Sequence, residues 1–507
     1  MALLAATPFG SARLGSRDVL LLLTSLVLSS VPVGYLQVVL PLFLNRAGLE
    51  PGLIGVLYSV SGLVTAALVA FSGVLADRFG RRHFMLWGTA LPIASYAIFA
   101  LTTNPSWLLL ASVIGGVGLA NGAAGAMTAA SFDALLAEHT PARRRTAIFA
   151  WSQALWSLAL AGGSLAAGVP ELLRRLQPGL ADLDAYRPPF VVIIALALLA
   201  TLVLLPLREL GSSSTTTSAP PQQSTPPPPS ASTPSVPASP RQGTVAIASA
   251  PESAQRHTAD ATPDRTQVSH TAGKTEPRSW FPRRSLGVIV RYSAALGMFG
   301  LGLGIAVQLL PLWLKLRFGV DEAAMAPWYS AAQLLSLSSV ITSPWLDRRL
   351  GSATSVLLVH LLGSVCLFTI ALIAPVFEIA AIAVMVRTVS ANIAWPLQQA
   401  LLMDRAVPEE RASAAGVGFS VWGVANAVGP VFGGALMQAG SLALPIILGG
   451  VAYALGGIAF GVGFRRRAEG GGELRLVSHG SGVVGQDGDR DRRQSRDRQG
   501  DRPRTSR

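Results

Sequence analysis

One cysteine, Cys366, stands in a chain of 507 residues, so an intrachain disulfide is excluded. It sits in an apolar run and reads as a small packing residue. Charge is also scarce. Only 13% of residues are Asp, Glu, Lys or Arg, against about a quarter in a typical soluble domain, while 50% are hydrophobic. This composition excludes an ordinary water-soluble fold. No cluster of His, Cys, Asp and Glu has metal-ligand spacing, no glycine-rich loop has the form that cradles a nucleotide, and no nucleophile stands beside a base. An enzyme, a metal site and a cofactor are therefore not expected. Acids are absent from the middle of every long apolar run; Asp133 and Glu378 fall towards run ends.

What the chain does have is long apolar runs. A helix needs about 20 apolar residues to cross a bilayer. With that ruler the first half has spans near 19–44, 53–75, 84–101, 107–136, 146–169 and 190–207. The second half has spans near 286–314, 327–346, 353–374, 376–403, 412–437 and 442–464. The expectation is an all-α integral membrane protein with about twelve transmembrane helices, six and six. The first run is too long for a signal-peptide core and lacks a clear cleavage site, so it is read as a retained span. The segments follow: an N-terminus at 1–18, a six-helix bundle at 19–210, a linker at 211–284, a second bundle at 285–465 and a tail at 466–507. The linker is rich in Pro, Ser and Thr and cannot bury a core, so it is expected to be a disordered, passive tether. The Gly- and Asp/Arg-rich tail is expected to be disordered too.

The formal charge of +13 raises the question of nucleic acid. The placement of the charge argues against it. Arg78, Arg81 and Arg82, then Arg143, Arg144 and Arg145, then Arg348 and Arg349, then Arg405 and Arg411 all fall in loops on one side. Opposite loops are short and nearly uncharged, with one exception at 171–187, where Arg174, Arg175 and Arg187 accompany Glu171, Asp182 and Asp184. By the positive-inside rule both termini are cytoplasmic, in a multi-pass protein of the cell (inner) membrane. The expected partners are the bilayer and a small-molecule substrate. No nucleic acid is expected, and the protein is expected to be a monomer.

The chain is organised around 73–83, GVLADRFGRRH, between the second and third spans. Gly73 permits close helix approach and Gly80 a tight turn. A weaker copy follows the eighth span, where Asp347, Arg348 and Gly351 remain. A second repeat follows spans four and ten: Glu138 precedes Arg145 by the same spacing at which Asp404 precedes Arg411. Two homologous halves explain both.

The order G-x-L-A-D-R-x-G-R-R resembles the signature loop of the major facilitator superfamily (MFS) of secondary transporters, closest in loop motifs to its broad drug and metabolite efflux group. The resemblance implies two pseudo-symmetric six-helix bundles about a central cavity, with alternating access by rocking of one bundle against the other. It implies that this loop latches the cytoplasmic face. Asp77 would face the N-terminus of the eleventh span, near Ala412, and Arg81 would pair with Glu138. The alternative is that these residues only set topology, and for Arg82 the two readings stand level.

Polar residues within spans are the candidate substrate or coupling contacts, because burying them in lipid is costly. Arg387 is the sharpest: it either binds an anionic or hydroxyl-rich substrate or partners a titrating acid, or it caps backbone carbonyls near Pro396. Gln37, Asn121, Gln308, Gln333, Asn392 and Asn426 either contact substrate or join helices by hydrogen bonds. Trp156, Trp395 and Trp422 line the cavity or pack, and His360 reads as a satisfied core histidine. Several family marks are missing. Span one offers Gln37 where cation-expelling relatives carry an acid, span four has Ser112 near the place of an arginine, and the glycine-proline pattern occurs not in span five but in span eleven, at Gly429 and Pro430.

The expected function is transport of a small neutral or anionic organic solute, with efflux favoured. The alternatives are a sugar or organic-acid importer or facilitator and, from another class, a ligand sensor with a transporter fold. Protons are left open as a coupling ion.

Overall fold

A computed structural model describes residues 17–116, 122–207 and 285–464; within them, residues 70, 73, 74, 77, 122, 129, 130, 142, 146, 409 and 412 are described without side chains. In hydrocarbon every backbone N–H and C=O must be satisfied within the protein, and helices do this along one segment. The first half comprises α1 (Arg17–Arg46), α2 (Pro51–Phe79), α3 (Arg81–Leu101), α4 (Pro105–Gly115), α5 (Gly122–His139), α6 (Arg145–Ala166), α7 (Val169–Leu176) and α8 (Arg187–Leu204). The second comprises α9 (Leu286–Gly302), α10 (Leu310–Phe318), α11 (Glu322–Ser336), α12 (Ser339–Leu350), α13 (Ser352–Phe368), α14 (Phe377–Arg405), α15 (Arg411–Gln438) and α16 (Ala443–Phe464).

Among the described residues, 10 helices are long and apolar enough to cross a membrane. The other two expected spans each come as two shorter helices. In the fourth, α4 stops at Gly116, whose φ of 86° leaves the helical region, and α5 begins at Gly122; residues 117–121 lie outside the described set. The eighth divides into α11 and α12. There the ladder tightens, with the Leu337 and Ser338 amides donating to the Leu334 and Leu335 carbonyls three residues back. The seventh span is continuous but carries a π-turn at Leu303–Val307 between α9 and α10.

The two halves repeat one plan. In the first, α1 packs closely on α6: a Cβ on Gly34 would strike the Leu160 carbonyl, and one on Gly163 the Val31 carbonyl. In the second, the α9 π-turn packs on α15 in the same way, through Gly304, Gly429 and Gly433. Small residues permit such backbone approach where no hydrophobic force drives helices together. Across the seam, α2 lies along α15 and α6 along α11, related pairs under a pseudo-two-fold axis. The tight turns match too: Gly80 (φ 84°) joins α2 to α3 and Gly351 (φ 76°) joins α12 to α13.

Candidate functional site

Arg387 lies on α14, 10 residues into the helix, and is only 4% exposed. One of its terminal nitrogens donates to the Tyr453 hydroxyl on α16, and its guanidinium carbon sits 5.1 Å from the Tyr453 ring centroid. Its Nε is buried without a hydrogen-bond partner. No carboxylate among the described residues comes within ion-pair distance of it. Beside it, His360 is occupied at both ring nitrogens, by the Val356 carbonyl at 2.9 Å and the Gln398 amide at 3.1 Å. Phe299, His360, Gly363, Ser390 and Tyr453 surround a small void next to the arginine.

Four other candidates bridge or brace helices. Gln37 on α1 donates to Ser164 on α6 at 3.3 Å, and Gln308 donates to Asn426 on α15 at 3.4 Å, so the same link recurs in both halves. Asn392 donates to Ser336 on α11 at 3.1 Å and to the Thr388 carbonyl at 3.0 Å. Gln333 is buried on α11. Asn121 lies outside the described residues. Trp395 and Trp422 meet Phe419 in an edge-to-face cluster with centroids 5.2–6.2 Å apart.

At the end where α2 turns into α3, Arg81 forms an ion pair with Glu138 at the end of α5, and Arg82 donates to the Leu205 carbonyl. Arg78 is exposed. Gly73 and the Asp77 side chain lie outside the described set, so the contact expected at the start of α15 is not seen. In the second half, Asp347 accepts from Ser352 and Arg411 donates to the Ala406 carbonyl, while Arg348 and Asp404 are exposed. The contacts described here for these residues fall within their own half.

The opposite end, where α1 passes to α2, holds an assembly that the sequence reading missed. Glu322 opens α11, and its side chain has no exposure. Arg46 reaches it from α1 at 3.2 Å and also holds Asp321 at 2.7 Å. Arg174 reaches it from α7 at 3.3 Å, and Tyr186 donates its hydroxyl to it. Arg174 is braced in turn by Glu171 at 2.9 Å. Three elements of one half thus grip one carboxylate of the other. Carboxylates are favoured at a helix N-terminus, which is where Asp321 and Glu322 lie. The signal was present: the charged loop 171–187 was the one departure from the positive-inside pattern. Nearby, the Val431 amide donates to Ser59 at 3.0 Å and Gln438 donates to Glu50, closing α2 on α15.

Two related helical halves, close-packed across a seam with polar side chains at mid-depth, define a secondary transporter architecture. The family model of the Major Facilitator Superfamily matches residues 22–419, and the chain belongs to that family. Tetracycline resistance protein, class H, of Pasteurella multocida is 26% identical over 197 residues, covering 38% of this chain and 45% of that protein. Quinolone resistance protein NorA of Staphylococcus aureus is 26% identical over 140 residues, covering 28% and 34%. The chain therefore spans less than half the length of these curated relatives. Among solved structures, a D-xylose–proton symporter superposes with a TM-score of 0.60 at 14% identity, covering 88% of this chain and 96% of that one. At that identity the likeness concerns the fold.

The chain is thus a multi-pass membrane protein of that family.

Proposed function

We propose that this transporter moves a small neutral or anionic organic solute by alternating access, in the direction of efflux. The observation that carries the reading is Arg387: a buried guanidinium at mid-span with no carboxylate at ion-pair distance among the described residues favours a solute that brings hydrogen-bond acceptors and disfavours a cation. The direction draws support from the two resistance proteins that the chain resembles. Import of a sugar or organic acid is the second reading, favoured by the symporter-like fold.

In this proposal both termini are cytoplasmic, in the cell membrane, following the arginine-rich loops. The Arg46–Glu322 assembly then lies at the outer end and ties the two halves together there. The loop at Asp77, Arg81 and Arg82 acts as the cytoplasmic latch in the opposite state, with Arg81 and Glu138 as its frame. The segment at 211–284 tethers the two bundles.

The test is flux in proteoliposomes with a panel of neutral, anionic and cationic solutes, with and without a pH gradient. Gradient-driven movement of a neutral or anionic solute is expected if protons are the coupling ion, and gradient-independent equilibration if the protein is a facilitator. Preference for cations would overturn the reading.

A further inference from the structure

Pro430 lies inside α15, towards its C-terminal end. Proline has no N–H to give the helical ladder, and its ring crowds the carbonyl four residues back, so the helix is disturbed there. The next amide, that of Val431, reaches out of its own half and donates to the Ser59 hydroxyl on α2 at 3.0 Å. Ser59 is 3% exposed and stands about 12 Å along α2 from Pro51 at the helical rise. The bond therefore lies within the seam, inward of the Gln438–Glu50 contact at its end.

Backbone contact holds this pair in place. A Cβ on Gly55, one turn before Ser59, would strike the Pro430 carbonyl. A Cβ on Gly434 would strike the Pro51 carbonyl and come within 3.1 Å of the Gly55 Cα. On the other flank of α15, Gly429 and Gly433 press in the same way on Gly304 and Ile305 of the π-turn. The stretch 429–434 is thus gripped on one side by its own half and on the other by the opposite half. The glycine-proline pattern of span eleven supplies both parts of this arrangement. Its glycines admit the close approach, and its proline loosens the ladder beside the amide that crosses. A buried amide parted from its acceptor is costly, because no water stands ready to replace the bond.

We propose that the Ser59 hydroxyl and the Val431 amide form a latch between the halves, which must part before the end bearing Glu50 and Gln438 opens. This rests on the alternating-access reading above and names one bond that opposes the opening. The bond is neutral, so it holds the halves independently of the charged groups around Glu322. Gly55 and Gly434 keep its partners in register, and Pro430 makes the amide available to it.

The experiment is double electron–electron resonance on the full-length protein in lipid nanodiscs, with spin labels at Glu50→Cys and Gln438→Cys in a Cys366→Ser background. The readout is the ratio of long to short separations. Ser59→Ala removes the acceptor and is expected to raise that ratio about fivefold, the worth of one net hydrogen bond. Pro430→Ala returns an N–H to the ladder and is expected to raise it too. The double variant is expected to go no further than the larger single effect, because both changes act on one bond. Ser61→Ala is the matched control. Ser61 is fully buried and donates to the Ser112 carbonyl within its own half at 2.6 Å, and its loss is expected to leave the ratio unchanged. An unchanged ratio in Ser59→Ala, an equal rise in Ser61→Ala, or additive effects of Ser59→Ala and Pro430→Ala would each overturn the latch. Solute flux that persists in proteoliposomes of Ser59→Ala would leave the transporter reading standing in that event. An unsubstituted chain that moves no solute would overturn the transporter reading, and with it the latch.

Discussion

Arg46 of α1 and Glu322 of α11 lie 3.2 Å apart across the seam between the halves, the arginine side chain 12% exposed and the glutamate fully buried. A carboxylate is costly to bury unless it is paired and hydrogen-bonded, and Glu322 is held by Arg46, Arg174 and Tyr186 together. Opening this end must expose or re-pair all of them. The cluster therefore weights the equilibrium towards the state seen here.

Glu322→Gln should lift that weight. Each 1.4 kcal/mol changes a two-state ratio tenfold, so loss of the charge is expected to shift the population towards opening at this end by about tenfold or more. Spin labels at Glu50→Cys and Gln438→Cys, in a Cys366→Ser background that removes the native thiol, report the separation. A broader and longer distance distribution in the variant is the expected result; an unchanged one would show that the cluster does not control the state.

The paired glycines on α6 provide an internal control for packing. A Cβ on Gly163 would collide with the Val31 carbonyl, whereas one on Gly162 meets nothing within 4 Å. Gly163→Ala is expected to destabilise by about 1–3 kcal/mol, the usual range for overpacking. Gly162→Ala is expected to be neutral or slightly stabilising, since alanine favours helix. Thermal unfolding of the two variants in detergent should separate them by several degrees, and equal midpoints would contradict the packing described.

Asp77→Asn is expected to reduce transport at least tenfold while leaving membrane insertion intact, because the proposed latch needs a carboxylate at a helix N-terminus. Proteoliposome flux normalised to inserted protein gives the answer. Wild-type flux would return Asp77 to a topological role.

Arg387→Ala should abolish measurable solute binding, while Arg387→Lys, which keeps the charge but not the planar fork, should retain part of it. Isothermal titration of a solute found to cross in the panel tests the pair. Undiminished affinity in both variants would leave Arg387 a structural residue bonded to Tyr453.

Deleting residues 212–275 should leave flux unchanged, since so polar and proline-rich a segment has no apolar surface to contribute to a core. Loss of membrane insertion in the deletion would show that the segment does more than tether.

Much of the fold was legible because the bilayer imposes a length rule. Apolar runs near 20 residues mark the spans, and Gly80 and Gly351 mark equivalent turns in the two halves. The breaks in spans four and eight were less legible. The end of α4 at Gly116 and the turn at 337–338 are set by backbone geometry, and an unbroken apolar run shows neither. At the candidate site, Arg387 was visible because arginine is rare at mid-span. Its partner Tyr453 was not, because tyrosine in an apolar run looks like packing until its hydroxyl is seen to accept from the arginine.

The membrane class, the two-half plan and the exceptional arginine all follow from local composition and spacing, so the order of residues was enough to establish them. Which helices meet across the seam was settled only by the folded arrangement. That arrangement also gave the charged loop at 171–187 its meaning. Arg174 and Tyr186 stand beside Glu322, more than a hundred residues along the chain, through the docking of α6 and α7 on α11. Such contacts depend on how the faces of distant helices fit, and no pattern within either segment encodes that fit alone.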